Sequence, residues 1–189
     1  MDALMAGLVL GALCVAGDRT PWLAAILADR YRAARGLVIA AAALAFLGNY
    51  MLGALGGILV APLLSPEARG LLLALSLILA GLGVSWRQKA PDRLTGWRLG
   101  PFGTSALGLA IMIFGDRMQL VAAALAARTP LPWLAAAGAT LGALAVVVPA
   151  IVIGEARWMA LPRRLICIAS AAILTLSGVI IGLRSIALI

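Results

Sequence analysis

Apolar residues run through this 189-residue chain in six stretches, at about 3–28, 36–62, 69–86, 100–127, 131–154 and 164–188, separated by short segments rich in arginine and proline. Each is close to the ~20 residues that cross ~30 Å of hydrocarbon at 1.5 Å per residue, so the pattern predicts six transmembrane helices. One extended polar segment divides them three and three. The predicted organisation is a first repeat at 1–86, a basic linker at 87–99 and a second repeat at 100–189. Three spans is an odd number, so two copies must enter the bilayer in opposite senses. That makes an all-α inverted 3+3 repeat, with a site at the midplane where the halves meet.

The first and fourth stretches carry charge where the pattern says lipid. Gly17-Asp18-Arg19 and Gly115-Asp116-Arg117 each set a carboxylate and a guanidinium inside a run long enough to span. Ionisable groups at that depth cost several kcal/mol unless they face a partner or a wet cavity, which makes each triplet a candidate site. The surroundings are copies as well. Residues 17–30 and 115–128 are identical at eight of fourteen positions at a constant offset of 98, close to half the chain.

Composition supports a membrane protein: 64% of residues are hydrophobic and 12% charged, with a mean hydropathy of +1.11, against roughly 25% charged in a soluble domain. The net charge of +8 would suit nucleic acid, but its distribution points elsewhere. Ten of the fifteen Lys and Arg lie in the loops after the first, third and fifth stretches: Arg30, Arg32, Arg35; Arg87, Lys89, Arg93, Arg98; and Arg157, Arg163, Arg164. Three, Arg69, Arg128 and Arg184, lie on the opposite side. By the positive-inside rule those loops are cytoplasmic and both termini outside. The expected partner is the lipid bilayer and not nucleic acid, and a homo-oligomer is compatible with the reading. Met1 to Cys14 is short enough for a signal peptide, yet it opens on Asp2 and has no Lys or Arg, so it reads as part of the first membrane helix. With loops this compact, a bacterial inner membrane is the expected location.

The chain has no histidine, which removes the commonest transition-metal ligand and the usual proton carrier. Cys14 and Cys167 sit in apolar runs, where a thiol behaves as a small hydrophobe, without disulfide or zinc spacing. No metalloprotease or serine-hydrolase constellation is present, so neither an enzyme nor a permanently bound cofactor is expected. Glycines four apart, Gly7 and Gly11, Gly53 and Gly57, Gly138 and Gly142, Gly178 and Gly182, predict close helix contacts. Pro21 would leave Gly17 O without its helical amide, and Pro149 would do the same for Ala145 O. The first makes Gly17 O a candidate cation ligand; the second predicts a kink.

With both triplets in view, the chain resembles the GDT-type family of small Mn2+/Ca2+ to H+ exchangers of the lysine-exporter superfamily. That family carries two copies of Glu-x-Gly-Asp-(Lys/Arg)-(Thr/Ser), in the first and fourth core helices, with a glutamine often following the second. The matching residues are Gly17-Asp18-Arg19-Thr20 and Gly115-Asp116-Arg117-Met118-Gln119; a basic linker ending in Gly96-Trp97-Arg98 and a glycine-rich second span containing Asn49 extend the likeness over the whole chain. The resemblance implies export of a divalent cation coupled to protons. Asp18 and Asp116 would be the metal ligands, with Thr20, Gln119, Asn49 and Gly17 as further binding residues.

Departures from the pattern change the expected electrostatics. Where the family has its two glutamates, this chain has Val15 and Ile113, and the second hydroxyl position is Met118. Two aspartates and two arginines sum to zero, whereas a hard divalent ion prefers several oxygens, some of them anionic. Two arrangements follow. Either Arg19 and Arg117 turn away and leave a reduced cation site, or Asp18 pairs with Arg117 and Asp116 with Arg19 as a structural clasp in a non-transporting or altered-substrate homologue.

Overall fold

The structure, a computed structural model, describes residues 2–85 and 90–186. Residues 87–89 of the predicted linker and 187–189 of the second repeat lie outside the described residues, as do Met1 and Trp86. Helices follow the apolar stretches: α1 (Asp2–Ala16), α2 (Thr20–Arg30), α3 (Arg35–Val60), α4 (Pro66–Ser85), α5 (Gly100–Ile113), α6 (Arg117–Ala126), α7 (Pro132–Ala160) and α8 (Arg163–Ser185), with no strand among the described residues. The protein is an all-α membrane protein. Four of these helices are long and apolar enough to cross a bilayer alone; α1 with α2, and α5 with α6, do so as pairs bent by 73° and 72°. Both bends fall at the Gly-Asp-Arg triplets.

Pro21 explains part of the first bend. It stands in the first turn of α2, where a helix has no intrahelical acceptor for its amide anyway, so it starts a new helix instead of removing a bond from an old one. Pro149, by contrast, sits inside α7, and the non-helical backbone comes five residues later at Gly154, with φ 80° and ψ 170°. Left-handed φ of this kind is open to glycine at little cost.

Many large apolar side chains face outward, and small residues line the closest helix contacts, as packing in lipid favours. Leu59, Leu63, Ile111, Phe114 and Leu165 are 65–82% exposed, while Ala24, Ala42, Ala135, Ala139 and Ala143 are wholly buried. The predicted glycine contacts form. A Cβ on Gly7 or Gly11 would fall on the backbone of Ala135 or Ala139, and one on Gly138 or Gly142 on Leu4 or Leu8, so α1 and α7 run parallel in contact. Gly53 meets Gln119 and Gly57 meets Ala123, which sets α3 parallel to α6. Gly70 meets Ser185 and Gly178 meets Ala74, making α4 and α8 antiparallel.

Each broken span thus packs on the second long helix of the other half, and the two third helices pack on one another. Equivalent helices begin at Asp2 and Gly100, Thr20 and Arg117, Arg35 and Pro132, Pro66 and Arg163, separations of 98, 97, 97 and 97 residues. These registers are compatible with an inverted duplication. Charged residues gather at the helix ends, on two faces. Arg30, Arg35, Arg93, Asp29 and Glu155 meet on one face; Asp2, Glu67, Arg69, Arg128 and Arg184 border cavities on the other.

Candidate functional site

The two breaks solve the same problem, ending one helix and starting another inside a span, with related hydrogen bonds. Asp18 N–H donates to Val15 O at 3.0 Å and Asp116 N–H to Ile113 O at 2.9 Å. In the second break Gly115, at φ 74°, turns its N–H onto Gln119 Oε1 at 2.7 Å. A continuous helix would have given the amides of Gly115 and Asp116 to the carbonyls of Ile111 and Met112, which therefore lose those partners at the C-terminal end of α5. The positive N-terminal ends of α2 and α6 begin beside the two carboxylates. Carbonyl-rich C-terminal ends of α1 and α5 face the same zone, the arrangement that broken helices offer to ions.

One guanidinium joins the halves. Arg117 Nη2 donates to Asp18 Oδ1 at 2.9 Å, and Arg117 Nε lies 3.5 Å from Asp116 Oδ1, so the two aspartates, 98 residues apart in sequence, share a single arginine. The side chains of Asp18, Asp116 and Arg117 are 8, 14 and 17% exposed. Thr20 gives both its backbone N–H, at 3.3 Å, and its hydroxyl to Asp18 Oδ2. Arg19 is exposed and forms no ion pair among the described residues. Of the two pairs expected for a symmetric clasp, Asp18 with Arg117 is formed and Asp116 with Arg19 is not, because Arg19 points out of the bundle while Arg117 serves both acids.

Asn49 and Gln119 meet at the edge of this cluster, with Gln119 Nε2 donating to Asn49 O at 3.3 Å. Asn49 Nδ2 donates to Ala45 O at 2.9 Å and Ala110 O at 3.4 Å, which leaves Asn49 Oδ1 a buried acceptor without a partner among the described residues. Arg117 Nη1 and Tyr50 OH are also buried and unpaired there. Gly17 O faces Cys167, whose thiol lies 3.7 Å away. Cys14, 1% exposed, packs in the core beside the site. No group of three or more Cys, Asp or Glu (the chain has no His) that could hold a metal occurs among the described residues; the oxygens at hand are two carboxylates, the Thr20 hydroxyl, the Asn49 amide and freed carbonyls.

Several contributing residues are not singled out by the sequence. α4 forms one wall: a Cβ on Gly83 would stand 2.6 Å from Arg117 Cδ, and one on Gly17 would strike Val84 Cγ1. A glycine in a third span gives no signal of facing an arginine in the fourth. A second polar cluster lies where α2 ends. Asp29 Oδ2 accepts Glu155 N–H at 2.8 Å, Asp29 Oδ1 lies 3.5 Å from Arg35 Nη2, and Arg35 Nη1 donates to Val152 O at 3.3 Å. These side chains satisfy backbone groups released by the break at Gly154. Glu155 accepts from Arg93 at 2.7 Å and from Trp22 Nε1 at 3.3 Å, while Arg30 donates to the carbonyls of Leu94, Thr95 and Trp97. A cavity of about 410 Å3 is lined by Ile26, Asp29, Arg30, Arg93, Thr95 and Glu155.

Comparison with known proteins identifies the family. The family described as divalent cation/proton antiporter GDT1 matches the chain over residues 3–92 and 101–187. A protein of Vibrio cholerae serotype O1 named "Putative manganese exporter" is 34% identical over 161 residues, covering 82% of this chain and 78% of the relative. No solved structure matches.

Proposed function

The chain belongs to the divalent cation/proton antiporter GDT1 family, and from that premise we propose that it exports a divalent cation, Mn2+ or Ca2+, in exchange for protons through one site between its two halves. The observation that carries the reading is the convergence of Asp18 and Asp116 on a single guanidinium. Two carboxylates from the two triplets, with Thr20 Oγ1, Asn49 Oδ1 and the carbonyls freed at the breaks, are hard oxygen donors of the kind Mn2+ and Ca2+ select. Gln119 and Gly17 hold the breaks open, the first by capping Gly115 N–H, the second by letting α4 approach. A carboxylate that takes a proton when the cation leaves couples the two flows.

The wider arrangement follows from the same reading. Residues 1–86 and 100–189 are inverted copies joined by the linker at 87–99, and the site lies near the membrane midplane. The arginine-rich face is cytoplasmic and both termini lie outside, in a bacterial inner membrane. The family is one of transporters, and a transported ion is the only metal this reading requires.

One observation favours a second reading. The Arg117 bridge already satisfies both acids, so the cluster could serve as a structural clasp in a homologue that carries another substrate or none. Growth of a metal-sensitive host in excess Mn2+ separates the two. Transport predicts that the wild-type chain protects and that Asp18→Asn with Asp116→Asn does not; equal growth of the two strains refutes it.

A further inference from the structure

The exchange reaction leaves one group in the site unexplained, the cationic side chain already between the two acids. We propose that Arg117 is a tethered competitor of the transported ion: it takes the divalent cation's place between Asp18 and Asp116 when the site is empty, and withdraws when the cation binds. The inference rests on the exchange reading above and deepens it, because it assigns one arginine a part in coupling.

Four observations place Arg117 in this role. Its Nη2 and Nε reach one oxygen of each aspartate, at 2.9 and 3.5 Å, so it spans the gap that a shared metal ion would span. Arg19, the residue at the equivalent place in the first triplet, is exposed, so the duplication by itself does not demand a guanidinium here. The fit is incomplete, since Arg117 Nη1 is buried without a hydrogen-bond partner among the described residues, as is the acceptor Asn49 Oδ1. A permanent structural arginine would be expected to use all its donors, because a buried donor left unmade is costly. Finally, Arg117 is the most exposed of the three charged side chains, at 17%, and the backbone it lies against on α4 is that of Gly83, which has no side chain to hold the guanidinium in place.

Charge counting gives the consequence. Two carboxylates carry −2. A divalent ion neutralises them alone; with the ion gone, Arg117 supplies one positive charge and a single proton supplies the other. A protein without Arg117 must take up two protons to return an empty neutral site across the membrane. Removal of the arginine should therefore tighten cation binding and add one proton to each cycle. A structural role predicts neither change.

The test uses the full chain, with Mn2+ alone as the probe. Mn2+ binding is measured by titration calorimetry on purified wild type, Arg117→Gln, Arg117→Lys and Arg19→Gln, and the protons taken up per Mn2+ are measured in proteoliposomes. Arg117→Gln should bind Mn2+ about tenfold or more tightly, since a like charge a few ångströms away has gone, and should exchange one more proton per ion than wild type. Arg117→Lys should stay near wild type, and Arg19→Gln should match it. Equal or weaker Mn2+ binding in Arg117→Gln, or an unchanged proton count, overturns the tether while leaving the exchange reading intact. Mn2+ binding by neither wild type nor Arg117→Gln overturns both. Should Arg117→Gln fail to fold, Gly83→Ser keeps the question open to measurement: its side chain presses on Arg117 Cδ and Nη1 and displaces the guanidinium, so Mn2+ binding must tighten, and unchanged binding in that variant counts against the proposal.

Discussion

The two Gly-Asp-Arg triplets are the same three residues put to unlike uses. In the first, Asp18 is buried and held by Thr20, Gly17 is there for space against Val84, and Arg19 faces outward. In the second, Asp116 is mostly buried too, Gly115 is there for a backbone angle of φ 74°, and Arg117 turns inward to hold both acids. A duplicated sequence therefore makes a site that is not symmetric. The cause lies at the neighbouring positions. Thr20 supplies a hydroxyl where Met118, wholly buried, supplies none, and Pro21 begins a helix where Gln119 caps a turn. With no hydroxyl beside Asp116, its ion-pair partner is the arginine that follows it.

The largest effects should separate the two arginines. Arg117→Ala leaves two poorly hydrated carboxylates facing each other and should lower stability by about 3–5 kcal/mol, the usual cost of breaking a buried pair by removing one partner. Arg19→Ala, at an exposed position, should fall within about 0.5 kcal/mol of wild type. Thermal unfolding in one detergent checks both, and equal destabilisation would mean the two copies are equivalent after all. The exchange Asp18→Arg with Arg117→Asp keeps one cation between two acids and should be more stable than either single change. A related comparison concerns the acids this chain lacks. Val15 and Ile113, each 1% exposed, give their carbonyls to Asp18 and Asp116, so glutamates there stand within one turn of the site. Val15→Glu with Ile113→Glu should strengthen Mn2+ binding about tenfold, measured by titration; unchanged affinity would show that the missing acids do not limit the site.

Much of this was legible in the sequence because membrane folds obey few rules. Apolar length located the helices, and the offset of 98 paired the two breaks. The glycine pairs at 7 and 11, 138 and 142, and 53 and 57 marked contacts that form, since only small residues let backbones meet in lipid. What the sequence could not show was direction. Arg19 and Arg117 are identical in type and context within the triplet, and the inward-turned Arg117 lies against Gly83, a residue contributed by a different span. The same holds for Gly154: Pro149 advertised a kink, but the break occurs where Asp29 and Arg35 can hold the freed Glu155 N–H and Val152 O, a condition set by residues more than a hundred positions away.

The glycines offer an effect of middle size that tests the contrast from the backbone side. Gly17→Ala should cost stability through collision with Val84 Cγ1 and should be rescued by Val84→Ala, which removes that atom. Gly115→Ala meets nothing within 4 Å, so its cost of about 1–2 kcal/mol comes from the left-handed backbone alone, and no neighbouring truncation should restore it. Gly115→Asn should be the milder change because Asn tolerates that conformation. Rescue of Gly115→Ala by a packing change would erase the distinction between the two copies.

The smallest effect probes the position that sets the asymmetry. Thr20→Val keeps the shape and removes the hydroxyl from Asp18 Oδ2, leaving a buried carboxylate oxygen with the Thr20 amide N–H as its remaining donor from that residue; about 1–2 kcal/mol should be lost. Met118→Thr makes the opposite change in the second copy. It opens a cavity in a wholly buried position, which costs stability, but it gives Asp116 the hydroxyl that its counterpart has. If local hydroxyl supply is what frees Arg19 to face outward, then Met118→Thr should loosen the hold of Arg117 on Asp116. Thr20→Val should then cost more in the Met118→Thr background than in wild type, since Arg117 is no longer fixed to supply Asp18. A double-mutant cycle on unfolding free energies reads this coupling directly. A coupling of zero would place the origin of the asymmetry outside the triplets, in the walls that α4 provides.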